Sequence, residues 1–277
     1  MIKRLLVGLG TTRTAASVTA HAIDLARAHG AELLGVTVTD TVRLDWVGPR
    51  PMGVGVDEAS AELRRERHAR VDADIASAHT VFANRCRAAG VAHSITDEVG
   101  DPFEIAADLI RYHDMAVFGL QDLFEHAVVP EPADALERLI ASGVRPILAV
   151  PEQHRPIARV LVAYSGSLES AKTFKHFATS GVYAPATIRV VTFGGDPAAG
   201  RRRCEQAAEF LRAHGRTVDT DAVPGDPREE LLAYATRWNA DLIVAGNSGR
   251  NMLLRKLFGE TALTLVREST LPLYLSQ

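Results

Sequence analysis

The chain has 277 residues, 47% of them hydrophobic and 23% charged, with a net charge of −3 and two cysteines. That balance supplies cores for two domains and excludes a disordered or fibrous chain, a disulfide framework, and a surface built to coat nucleic acid or an anionic membrane. No apolar run reaches the roughly 18 residues that cross a bilayer, and the opening MIKRLLVGLG gives way at once to TTRT, so it reads as a first strand rather than a signal peptide and the expected compartment is the cytoplasm.

In chain order, the first half carries short apolar runs, predicted strands, near 3–9, 32–39, 92–99, 114–119 and 146–150. Their continuity suits strands buried on both faces. Between the first two, Ala15, Val18, Ala22, Leu25 and Ala26 recur at helical spacing, with Thr11 or Thr12 as the expected cap. The segment near 41–60 is too rich in Gly and Pro for a helix or central strand. Trp46 and Met52 anchor it, either as a loop on its own domain or as a flap over a cleft or a partner contact. From Asp57 to Ala89 the pattern is helical and charged, and its RRERHAR run reads as a solvated face. The second half repeats the alternation, with strands near 158–164, 187–193, 216–223, 241–246 and 271–276. Ala171, Phe174 and Phe177 mark a helix that the Ser165-Gly166-Ser167 turn would cap.

The halves are copies. IKRLLVGLG (2–10) answers IARVLVAYS (157–165), VGDP (99–102) answers PGDP (224–227), DMAVFG (114–119) answers DLIVAG (241–246), and RPILAV (145–150) answers LPLYLS (271–276). The shared order predicts two tandem α/β domains, 1–151 and 157–277, with a boundary near Pro151–Pro156 and the 41–60 insert in the first. Parallel strands with right-handed crossovers and helices on both faces follow from the alternation. Asp101 and Asp226 in the GDP turns are expected to cap the next helices, with Pro at the first helical position. Cys86 and Cys204 fall in equivalent helices and are expected to be unpaired, and the ten histidines show no metal spacing.

The stretch after the strand at 241–246 carries the chemistry. Gly246, Gly249 and Gly259 lie where backbone N–H groups could approach an anion closely, with a helical pattern opening just beyond Gly259. Tight turns are the alternative use of the same glycines. No Walker A, H-E-x-x-H, C-x-x-C or G-x-S-x-G sequence occurs.

On these residues the chain resembles the universal stress protein family in its tandem form, whose nucleotide motif G-x2-G-x9-G is matched by Gly246, Gly249 and Gly259. The resemblance implies two five-stranded parallel sheets of order 3-2-1-4-5 and a role in stress survival. It also implies ATP or AMP binding in some members, magnesium accompanying ATP, and dimer-type packing. The ligand would sit in the crevice between strands 1 and 4 of the second half. Carried onto this sequence, the site comprises Ala163, Ser165, Phe193, Ala245, Gly246, Gly249, Arg250, Gly259, Glu260 and Thr261. Two positions depart from the pattern. The Asp that ATP-binding members usually carry after strand 1 is Gly10 in the first half and Ser165 in the second. The hydroxyl residue after the last glycine is Glu260, whose carboxylate would repel phosphate and could itself occupy the anion site. Arg250, Arg255 and Lys256 are near enough in sequence to offset it. In the first half Asp122 replaces the second glycine, and Pro130 and Pro132 remove amide donors, so no triphosphate site is expected there. No general base is evident, so the chain is not expected to be an enzyme beyond slow ATP hydrolysis. A nucleotide-responsive regulator, a non-binding scaffold that pairs copies or partners, and an adenine-nucleotide hydrolase remain the alternatives, in that order. Self-association, within the chain or between chains, is expected; nucleic acid and membrane partners are not.

Overall fold

A computed structural model describes residues 1–44, 56–120, 139, 146–246 and 260–276. Its strands are β1 (Arg4–Gly8), β2 (Glu32–Thr39), β3 (His93–Val99), β4 (Met115–Gly119), β5 (Ile147–Val150), β6 (Arg159–Ala163), β7 (Thr187–Phe193), β8 (Thr217–Val223), β9 (Leu242–Gly246) and β10 (Leu273–Ser276). The helices are α1 (Ala15–His29), α2 (Thr41–Leu44), α3 (Val56–Ala89), α4 (Pro102–Ile110), α5 (Leu168–Ser180), α6 (Pro197–Ala213), α7 (Pro227–Arg237) and α8 (Glu260–Glu268). Trp46 and Met52 of the insert lie outside the described residues, as do Asp122, Pro130 and Pro132.

All ten strands join one sheet of order β3-β2-β1-β4-β5-β10-β9-β6-β7-β8. Each half therefore has the expected 3-2-1-4-5 order. Pairing is parallel throughout except where β5 meets β10, antiparallel, with Leu148 opposite Tyr274. An approximate two-fold axis passes near that pair and relates the halves.

Side chains alternate across the sheet with the strand period of two. Leu5, Val7, Val160, Val162, Leu148 and Tyr274 enter a core beneath α1, α3, α5 and α6. Leu6, Leu161, Ile147, Ala149, Leu273 and Leu275 enter the other, beneath α4, α7 and α8. Both cores run unbroken across the junction. The outer strands differ in chemistry: β3 reads HSITDEV and β8 TVDTDAV, and neither contains a fully buried residue. Charge at an outer edge discourages further strand addition.

The helix starts are set by local chemistry. Asp101 accepts from the amides of Phe103 and Glu104, and Asp226 from that of Arg228, each followed by proline in the first turn. Ser167 caps α5 by accepting from Ser170 N. The expectation for α1 is corrected: Thr14, not Thr11 or Thr12, holds the capping position, and it does so in helical geometry with no side-chain cap bond. Cys86 and Cys204 are unpaired and buried, and burial pushes both thiols up to about 11.

Candidate functional site

The crevice of the second half lies where β6 and β9 end. There the chain leaves β6 for α5, crossing the switch point of the sheet. Ser165, Ser167 and Ser170 form a hydroxyl cluster in that turn, with oxygens 3.1 to 3.2 Å apart. Gly246, at the end of β9, meets the first turn of α5 so closely that a Cβ there would lie 2.7 Å from Ser170 Cα and 2.9 Å from Glu169 O. Close packing is thus one reason for a glycine at 246, independent of any ligand.

A cavity of about 70 Å³ opens above this turn. Of the residues expected to form the site, Ala163, Ser165, Phe193, Ala245, Gly246 and Thr261 line it together. They come from four separate segments that the parallel order brings to one end of the sheet. Tyr164, Ser170, Thr192 and Leu231 are among the other residues of the wall, and no Asp, Glu, His, Lys or Arg is among the described residues lining it. Gly249, Arg250 and Gly259 lie outside the described residues, with Arg255 and Lys256.

Glu260 opens α8 and is exposed, and its carboxylate receives Arg228 Nη1 at 2.5 Å. The same guanidinium grips Asp226, lowering that carboxyl below its usual range. An Asp226–Arg228–Glu260 bridge therefore links the starts of α7 and α8 beside the crevice. Sequence spacing could not find it, because Arg228 and Glu260 are distant in the chain. Arg203 of α6 was likewise missed. It lies across Gly166, where a Cβ would come within 2.5 Å of its side chain, and points Nη1 toward Thr192 Oγ1 at 3.5 Å. Gly166 has φ +80, so it both permits the turn and admits the arginine.

The first half shows what closes such a crevice. Ala163 pairs with Ala245 across β6 and β9; their counterparts are Gly8 and Phe118. The Phe118 ring is fully buried and sits over Gly8, where a Cβ would be 2.4 Å from Cδ1. An aromatic ring thus fills the space that two alanines leave in the second half.

The described walls offer backbone, hydroxyls and apolar surface. By its chemistry, though not by its present volume of about 70 Å³, that set suits a neutral planar group with a polar one beside it. It contains no nucleophile paired with a base, and the described residues include no cluster of His, Cys, Asp or Glu suited to a metal ion.

Known proteins place this architecture. The sequence profile of the Universal stress protein family matches residues 1–117 and 156–276. Over 140 residues the chain is 28% identical to universal stress protein Slr1230 of Synechocystis sp., covering 50% of this chain and 48% of that one. It thus spans about half the length of that relative. Universal stress protein MJ0531 of Methanocaldococcus jannaschii is 30% identical over 124 residues, which cover 38% of this chain and 72% of the relative. Among solved structures, a universal stress protein from Archaeoglobus fulgidus superposes with TM-score 0.67 at 17% identity, over 99% of this chain and 96% of that one. One from Pseudomonas aeruginosa gives 0.65 at 17%, over 99% and 93%. At such identities the superpositions speak to the fold, and the profile speaks to descent. With both halves of the duplication matched, the chain belongs to the universal stress protein family.

Proposed function

We propose that the protein is a stress-response regulator that binds an adenine nucleotide in its second domain, residues 157–277, without efficient turnover. The observation that carries this reading is the convergence of Ala163, Ser165, Phe193, Ala245, Gly246 and Thr261 on one cavity at the switch point. Adenine would lie against Ala245 and Phe193, and Ser165 would take the ribose. Phosphate would extend toward Thr261 and the start of α8, whose N-terminus favours an anion. Arg203 adds positive charge at the rim, and ATP would bring magnesium with it. The absence of an acid or base among the described lining residues favours binding over hydrolysis.

A second reading, a scaffold that binds no nucleotide, is favoured by the cavity's size. At about 70 Å³ it is smaller than the roughly 150 Å³ that holds one benzene ring, so a base enters only if lining side chains move. Calorimetric titration with ATP, ADP and AMP, with and without magnesium, separates the two. Saturable binding that Ala245→Phe weakens at least tenfold supports the nucleotide site. A flat titration for all three ligands overturns it and leaves the scaffold. Within the nucleotide reading, Glu260→Ser should tighten ATP more than AMP.

A further inference from the structure

The approximate two-fold axis creates two equivalent sites at the junction of the halves, away from the crevice. His176 of α5 corresponds to His21 of α1, each 17 residues beyond Arg159 and Arg4, which open β6 and β1. The equivalence holds in detail. Asp114 accepts from the amides of Lys3 and Arg4, and Asp241 accepts from those of Ala158 and Arg159. By the same relation, Thr179 stands where the first half has Asp24.

At His21 the site is occupied by the chain itself. The segment between β5 and β6 places the His154 ring against that of His21, centroids 4.4 Å apart, and His154 Nε2 meets Asp24 Oδ2 at 2.8 Å. An imidazole of the protein packs against a histidine at an interplanar angle of 58° and reaches an acceptor one helical turn along. At His176 the corresponding place is a cavity of about 180 Å³. Its floor is buried Ile2, Met115 and Tyr274, and its rim carries Asp114, His176 and Thr179. The hydroxyl of fully buried Tyr274 is bonded to His176 Nδ1 at 2.8 Å, which fixes the ring. Thr179 and Ser180, also on the wall, donate their hydroxyl protons to helix carbonyls, at 3.0 and 2.9 Å. Ser180 Oγ already receives the amide of Val182 at 3.5 Å, whereas Thr179 Oγ1, with its proton given to the helix, keeps the capacity to accept.

From this juxtaposition we propose that the junction cavity binds a small planar nitrogen heterocycle, one ring in size, that packs against the His176 ring and donates an N–H to Thr179. Size agrees, since a cavity of about 150 Å³ holds a single six-membered ring. Chemistry agrees as well: the walls present a histidine ring and an acceptor one helical turn along, the pair that the His154 imidazole meets at its own site, here above an apolar floor. The proposal is independent of the nucleotide reading, because the cavity lies at the starts of β1, β4 and β5 rather than at the ends of β6 and β9.

The test is an NMR titration of the full chain with imidazole at mildly alkaline pH, where imidazole is neutral, following the ring signals of His176. A saturable shift with millimolar affinity and one equivalent bound is expected. N-methylimidazole, which lacks the N–H, should bind at least fivefold more weakly, and Thr179→Val should lose part of the imidazole affinity. His154→Ala should add a second equivalent, at His21, and imidazole should restore the thermal stability that this substitution removes. No saturable change at His176, or equal affinity for the methylated ring, would overturn the proposal. If Thr179→Val disturbs the fold, the comparison of the two ligands on the native chain decides alone.

Discussion

At the scale of single residues, the described parts of the two crevices differ most in the bulk at one position, Phe118 in the first half and Ala245 in the second. Phe118 closes the first over Gly8, whereas Ala245 leaves the second open beside Ala163. Phe118→Ala should therefore destabilise the protein by about 3–5 kcal/mol, the range for deleting a buried aromatic ring, measured as the shift in denaturant midpoint. Its effect on nucleotide affinity in the second half should be nil. His21 supplies a second residue-scale expectation. Its ring is buried, Nε2 has no hydrogen-bond partner, and burial, together with His154 and Arg155, pushes its pKa down to about 3. The unfolded chain takes up that proton near 6.5 and the folded chain does not. Stability is thus full above about 6.5 and falls as pH drops toward about 3, with a slope of up to about 1.4 kcal/mol per pH unit. His21→Phe, which cannot take up the proton, should flatten that limb of the stability–pH curve. An unchanged acid limb would place the loss on other groups.

Elements were read from the sequence more securely than sites, and the physics explains the difference. A strand buried on both faces must be apolar along its length, so runs such as RLLVG and LIVAG announce themselves. All ten predicted strands fall within about two residues of those observed. The GDP turns were equally legible, because an Asp before Pro can do little else but cap. Asp101→Ala should cost about 1 kcal/mol, a usual value for a lost N-cap. Asp226→Ala should cost more, since it also releases Arg228 from one of its two carboxylates. Paired urea melts would measure both, and equal costs would show that the Asp226–Arg228 pair adds nothing beyond the cap. The start of α1 misled because its threonines could each cap, and the turn put Thr14 in helical geometry instead. Arg203 and Arg228 were invisible for another reason. Their contacts, to Gly166 and Glu260, join elements that only the strand order makes neighbours.

On the scale of the whole molecule, the junction is what makes two copies into one object. β5 and β10 are each buried on both faces and pair antiparallel, while the polar strands β3 and β8 are left at the outer edges. An apolar strand with an unpaired edge invites association, and fusion of the two copies satisfies both edges internally. Because the cores on each face continue across that seam, the halves should unfold as one cooperative unit. Leu148→Asp places an unpaired carboxylate at a fully buried position opposite Tyr274, which costs several kcal/mol. Hydrogen exchange should then show protection falling together at β1 and β6, although the substitution is in the first half alone. Should β6 keep its native protection while β1 loses it, the halves are separate folding units that merely touch. If both fall, the mechanism is direct: a charge at the seam removes the edge on which each sheet closes, and neither core then stays covered.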